Sequence, residues 1–291
     1  MEITLPKSAT KTGQRATMQR YGVITLKYAL LVFVAMIFFV PIFWMASASL
    51  KDLREIYTFP PQWIPLTPRW QNYTDAWNAA PFGRFYINTL ITTSVGVGAE
   101  LLFGTMTAYA FVFIPFPRKN LLFLVMLAAL MVPIQVTMLP NYLTVANLGW
   151  LNTYAGIIVP GASVAFGTFL LRQHFLGLPK EILEAARLEG AGHFQLLTKI
   201  ILPLSRPIFV TVGLIALVNK WNDFLWPLIV TNRLEMRVLP VGLAYLFDQE
   251  GNSQWGIIMA ATIFVVAPIL LVFAWAQRHI IAGLTAGATK G

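Results

Sequence analysis

The sequence predicts an all-helical polytopic membrane protein with six transmembrane helices, and three observations carry that expectation. Of its 291 residues, 57% are hydrophobic and only 11% are charged, where a soluble domain holds roughly a quarter charged residues. The apolar residues fall in long runs, each able to cover a hydrocarbon core of about 30 Å at 1.5 Å per helical residue. Lys and Arg collect between alternate runs, as they do in the cytoplasmic loops of membrane proteins.

The runs lie near 25–48, 86–113, 120–141, 154–175, 206–229 and 256–278. The second is rich in Thr, Gly and Ala, which suits a helix packed on other helices. The polar N-terminal tail, 1–24, carries Lys7, Lys11, Arg15 and Arg20. The run after it is too long for the apolar core of a cleaved signal peptide, and Ser47-Ala48-Ser49 resembles a cleavage site only faintly, so an uncleaved first helix is expected. The chain then divides into a first helix with its outer loop (25–84), a five-helix core (85–280) and a C-terminal tail (281–291).

With six spans both tails share one side of the membrane. That side holds 14 of the 21 Lys and Arg residues; the other holds Lys51, Arg54, Arg69, Arg84, Arg233 and Arg237, and Lys220 falls inside a span. The richer side is expected to be cytoplasmic. Loops 49–85, 142–153 and 230–255 then face outward, the first with Trp63, Trp70 and Trp77 as interface anchors or a docking surface.

A net charge of +9 would suggest nucleic acid as the partner of a soluble protein. Here the positive residues sit in short loops between apolar runs, and no nucleic-acid partner is expected. The absence of cysteine excludes disulfides and thiolate metal sites. His174, His193 and His279 are far apart and lack ligand spacing, so no metal is expected.

The largest inner loop, 176–205, carries the most specific pattern. Pro179 can open a helix, Lys180 to Leu188 are mostly good helix formers, and Glu181 and Glu184 lie in the early turns, where the dipole favours carboxylates. Gly190 is expected to end or bend that helix, with Ala191-Gly192 keeping the turn narrow. A second short helix, Phe194 to Leu202, leads to the fifth span. Two short helices around a small-residue turn would project as a stiff knob.

The stretch Glu184-Ala185-Ala186, three residues, Gly190, nine residues, Ile200, one residue, Leu202-Pro203 runs without a gap. This EAA motif resembles that of the integral membrane subunits of binding-protein-dependent ABC importers. Residues 85–291 also resemble the smaller permease of carbohydrate importers of the maltose-transporter type. Supporting pieces are Phe113-Ile114-Pro115-Phe116-Pro117-Arg118, which departs slightly from the usual Arg-containing form, Leu139-Pro140-Asn141-Tyr142, Trp221-Asn222-Asp223-Phe224-Leu225-Trp226-Pro227, and the Ala282-to-Gly291 ending.

The resemblance implies a type I importer permease fold in a bacterial or archaeal cytoplasmic membrane, both termini inside. It implies a cytoplasmic coupling helix made of Glu184, Ala185, Ala186, Gly190, Ile200, Leu202 and Pro203, docked into a cleft of a separate ATPase. The implied partners are a second homologous permease, an ATPase dimer that binds ATP and Mg, an extracytoplasmic solute-binding protein and membrane lipid. This chain would itself hold no cofactor, and it contains no Walker A sequence. The implied cargo is a sugar or oligosaccharide; the alternative is glycerol-3-phosphate or a polyol.

Polar residues inside the spans are candidates for the translocation path. Glu100 shares a helical face with Thr89, Thr93, Gly96, Gly104 and Thr107, either a pore-facing stripe or a small-residue seam with the carboxyl paired or protonated. Asn219, Trp221, Asn222 and Asp223 cluster near Lys220; aromatic faces and amides suit sugar hydroxyls, while an interface belt with Lys220 and Asp223 paired suits the same residues. Gln135, near Pro133, is a further candidate. An intramembrane enzyme would need a catalytic pair that the spans do not offer, and a secondary transporter would normally show a longer chain with paired broken helices.

A reporter active only in the cytoplasm should work when fused after Gly291 or inserted within 186–195, and should be silent within 240–250. Activity at 240–250 would overturn the six-span topology.

Overall fold

The computed structural model describes residues 11–162, 164–247 and 254–286. Every regular element among them is helical. Three helices are individually long and apolar enough to cross a membrane, at Tyr21–Ala48, Phe82–Phe113 and Trp255–Gln277. The first belongs to α1 (Lys11–Ala48), so helix already begins inside the segment expected to be tail. The last belongs to α15 (Trp255–Ala286), so the C-terminal segment is helical as far as Ala286, and 287–291 lie outside the described residues.

The loop after α1 folds into α2 (Leu53–Ile56) and α3 (Gln71–Ala79). Asn72 is buried in α3 and its amide donates to the Ser49 and Lys51 carbonyls, both at 2.9 Å, which ties the end of α1 to the core. The central helix is α4 (Phe82–Phe113). One face of it is buried, as the composition of this run predicts: Thr89, Thr93, Gly96, Glu100 and Gly104 all face the interior, with Thr107 on the same face half-buried.

The remaining runs are broken. The run expected at 120–141 is α5 (Lys119–Ala129) and α6 (Ile134–Asn147), meeting at 94°. Pro133 stands at the break with an extended ψ of 135°; its missing N–H and its constraint on the preceding residue explain why one helix cannot pass through. The run at 154–175 is α7 (Tyr154–Ile158) and α8 (Ala165–Leu176), interrupted at Pro160-Gly161. The run at 206–229 is α12 (Arg206–Trp221) and α13 (Leu225–Val230), parted at Asn222-Asp223-Phe224. Between them lie α9 (Lys180–Leu188), then a helical rod of α10 (His193–Gln195), a π-helical stretch Leu196–Ile201, and α11 (Leu202–Leu204). That rod meets α12 at 81°. The segment before α15 forms a 3-10 turn, Leu234–Met236, and α14 (Leu239–Ala244).

Breaks in an apolar environment strand backbone groups, and side chains from other helices fill them. Pro160 has no N–H for the Gly156 carbonyl four residues earlier, and that carbonyl accepts from Trp226 Nε1 at 3.0 Å. Pro268 inside α15 does the same to Phe264, whose carbonyl accepts from the Tyr86 hydroxyl. The neighbouring Val265 carbonyl accepts from Trp221 Nε1 at 2.9 Å. Asn88 donates to the Glu235 and Arg237 carbonyls, both at 2.8 Å, and accepts from the Tyr154 hydroxyl at 2.8 Å.

Lys220 completes the set. Its ammonium donates to the Gly161 carbonyl at 2.8 Å and lies 3.3 Å from the Glu100 carboxylate. Its stem crosses α4 at Gly96, where a Cβ would lie 2.6 Å from Lys220 Cδ. One side chain thus joins α4, α12 and the break between α7 and α8. This is not the Lys220–Asp223 pair that one of the two sequence readings offered, because α4 brings Glu100 to the ammonium across 120 residues of sequence.

Removing one partner of a buried ion pair strands the other charge, at a cost of about 3 kcal/mol. Glu100→Ala should therefore lower unfolding stability in detergent by about that amount. Adding Lys220→Met should recover part of it. Equal destabilisation of the single and double variants would refute the coupling.

Candidate functional site

Loop 176–205 is built as a knob with one buried face. In α9, Leu183 and Ala186 are buried three residues apart, while Glu184, Ala185 and Arg187 are exposed. Ala186 and Leu183 pack in a cluster with Ala108, Tyr109, Leu171, Phe175, Leu196 and Ile201. Ile200 is partly buried against the same cluster. The EAA motif therefore splits by role: Ala186 and Ile200 face the protein, and Glu184 and Ala185 face away.

The turn is a Schellman motif. Gly190 N–H donates to the Arg187 carbonyl and Ala191 N–H to the Ala186 carbonyl, both at 3.0 Å. Gly190 holds φ at +82°, a region that an L side chain occupies only with strain. A Cβ there would meet nothing within 4 Å, so within this chain the requirement for glycine is conformational.

After the turn, the Tyr109 hydroxyl and His193 Nδ1 are hydrogen-bonded at 2.8 Å, with the rings edge to face at 5.9 Å. Tyr109 also lies 5.0 Å from Phe113, which meets Phe175 at 6.3 Å between ring centres. The second arm is fully helical and longer than the expected 194–202, with Leu196 and Ile201 buried. Leu202 is half-buried and Pro203 exposed, and both line an open groove of about 720 Å³ with Thr198, Arg206, Pro207, Phe209 and Val210.

Four contributors are absent from the sequence-based set. Tyr109 and His193 lie 84 residues apart and only the fold joins them. Leu188 and Phe194 flank the turn as large apolar side chains exposed to 90% and 78%. Leu188 could have been found: it lies off the Leu183–Ala186 face of an otherwise amphipathic helix.

The path candidates do not converge on one cavity. Gln135 is exposed at the start of α6. Asn219 is exposed and lines a cavity of about 220 Å³ between α12 and α15. Asn222 is exposed and donates to the Val218 carbonyl at 2.9 Å. Trp221 is buried on the Val265 carbonyl. Asp223 is half-buried and lines a cavity of about 30 Å³ with Lys220, Thr92 and Gly96. Glu100 is buried between α4, α8 and α12, 3.7 Å from where a Cβ on Gly167 would sit.

Comparison with known proteins agrees with this architecture. The family model of the binding-protein-dependent transport system inner membrane component matches residues 100–285. The chain is 33% identical over 274 residues to the arabinooligosaccharides transport system permease protein AraQ of Halalkalibacterium halodurans, covering 92% of this chain and 96% of that protein. It is 31% identical over 272 residues to the sn-glycerol-3-phosphate transport system permease protein UgpE of Yersinia enterocolitica, covering 91% and 97%. Among solved structures, a chain of a bacterial ABC transporter involved in the import of the acidic polysaccharide alginate superposes with a TM-score of 0.79 at 22% identity, over 94% of this chain and 99% of that one. A bacterial alginate ABC transporter in complex with an alginate pentasaccharide-bound periplasmic protein superposes with a TM-score of 0.63 at 15% identity. Family, fold and knob geometry converge, and the chain belongs to the binding-protein-dependent inner membrane components, the permease subunits of ABC importers, with a role in transport rather than catalysis.

Proposed function

We propose that this chain pairs with a second homologous permease to form the translocation path for a sugar or oligosaccharide. It receives the solute from an extracytoplasmic binding protein, and a separate ATPase dimer, holding ATP and Mg, drives it. Both termini and the knob face the cytoplasm, and the chain crosses the membrane six times, with three of the passes made by broken helices.

The observation that carries this reading is the knob itself. It is fixed on one side by Ala186, Leu183 and the Tyr109–His193 bond, and it offers Glu184, Ala185 and Leu188 on the other. Movement in one subunit drives another only through a stiff contact of defined geometry. Glu184 supplies a charge for a basic residue of the ATPase, and breaking such a partly desolvated pair costs on the order of a few kcal/mol.

A saccharide cargo is supported by the arabinooligosaccharide relative and by the neutral amides of Asn219, Asn222 and Gln135, which are exposed. The second reading, a glycerol-3-phosphate or polyol importer, is favoured by the UgpE relative at nearly the same identity. A phosphate would call for a free cation on the path, and Lys220 is already committed to Glu100 and Gly161.

In the reconstituted transporter with its binding protein, uptake of labelled oligosaccharide and of glycerol-3-phosphate should be measured beside ATPase copurification. Wild type should take up the saccharide. Gly190→Leu should abolish uptake and loosen the ATPase, since the turn is strained by about 1 kcal/mol or more and its shape is lost at the contact. Glu184→Lys should do likewise, and Gln195→Lys should be milder. Full uptake with normal ATPase retention in Gly190→Leu would remove the knob from the mechanism. Transport of glycerol-3-phosphate alone would establish the second reading.

A further inference from the structure

Where α4 turns into α5, the structure gathers cations and offers them no acid. Arg118 precedes α5 with φ at +57°, and Lys119 is the first helical residue. The Lys119 ammonium donates to the Val112 carbonyl at 3.1 Å and the Ile114 carbonyl at 3.4 Å, and lies 5.9 Å from the centre of the Phe116 ring. From α8, the Arg172 guanidinium lies over the Phe123 ring, 3.9 Å from its centre, with Nε buried and without a hydrogen-bond partner.

One aromatic cluster seats both cations. Phe111 meets Phe116 at 5.8 Å and Phe123 at 5.4 Å between ring centres, and Phe123 stacks on Phe169 at 6.5 Å. Phe111 touches both seats, Phe116 beneath Lys119 and Phe123 beneath Arg172, so the two cations share one aromatic cluster. Among the described residues, neither lies within 4 Å of a carboxylate oxygen. Like charges held together in a partly apolar setting call for an anion between them.

The surroundings specify which anion. Beyond the cations, α5 turns Leu121, Leu122, Leu124 and Val125 outward, each at least 50% exposed. A free phosphate would satisfy the charges and leave this face bare. A phospholipid satisfies both, headgroup on the cations and acyl chain along α5. The planar Arg fork suits phosphate oxygens, and its flat face is already occupied by Phe123.

We propose that Lys119 and Arg172 form a site for the phosphate of an anionic phospholipid, on the same side of the membrane as the knob. The bound headgroup joins the start of α5 to α8, whose Leu171 and Phe175 belong to the knob cluster. The site holds whatever solute the transporter carries, so its test is independent of the transport reading.

The full transporter should be placed in discs of phosphatidylcholine with or without phosphatidylglycerol, and the lipids it retains counted by native mass spectrometry after mild delipidation. Wild type should retain phosphatidylglycerol in preference to phosphatidylcholine. Lys119→Gln should reduce that preference about fivefold, Arg172→Gln at least as much, and Lys119→Arg should keep it. Arg54→Gln, on the other side of the membrane, should leave it unchanged. Unaltered preference in both Lys119→Gln and Arg172→Gln would overturn the proposal. So would displacement of the lipid by inorganic phosphate at equal concentration, which would mark a site for free phosphate instead.

Discussion

A backbone that breaks its helix inside an apolar medium must find new hydrogen-bond partners, and this requirement organises the whole molecule. Three of the apolar runs are interrupted, and α15 carries Pro268 within its length. Each carbonyl stranded by Pro160 or Pro268 is taken by a polar hydrogen on an aromatic side chain from a distant helix, Trp226 in one case and Tyr86 in the other. The Gly161 carbonyl takes the Lys220 ammonium, which brings Glu100 with it. An unsatisfied backbone group in hydrocarbon costs several kcal/mol, so each such bond also fixes the position of the helix that supplies it. The breaks are therefore the points at which helices are locked together.

Stiffness reaches the knob by the same logic. Packing alone would let α9 slide on its apolar face. The Tyr109–His193 hydrogen bond and the Schellman turn at Gly190 add direction to that packing, and direction is what a mechanical contact needs. Tyr109 belongs to α4, as do Glu100 and Gly96. One helix thus runs from the polar latch at its middle to the hydrogen bond on the knob at its end.

The sequence made part of this legible and hid the rest for physical reasons. Gly190 as a helix stop, Pro179 as a start and the buried small-residue face of α4 follow from backbone preference and periodicity, which are local, and all three stand in the structure. The breaks at Pro133 and Pro160 have proline as their visible cause, yet proline also sits inside α1 at Pro41 and within α6 at Pro140 without ending either helix. Pro160 and Pro268 each free a carbonyl that a distant side chain takes, yet only Pro160 stands at a break, so a proline in the sequence does not by itself say whether its helix ends. The partner of Glu100 was hidden likewise, because Lys220 and Asp223 are neighbours in sequence while Lys220 and Glu100 are neighbours only in space. The aromatic seat of Lys119 and Arg172 draws on four segments and leaves no periodic trace.

The central claim is that the exposed face of α9 touches an ATPase subunit while its buried face does not. The chain has no cysteine, so a single introduced thiol reports one position. Ala185→Cys and Ala186→Cys are adjacent in sequence and face opposite ways, Ala186 being 6% exposed. The most direct measurement is cross-linking of each thiol, through a short bifunctional reagent, to the ATPase in the assembled transporter. The account predicts a cross-link from position 185, responsive to ATP, and none from 186. Cross-linking at 186 without 185, or at neither, would contradict it.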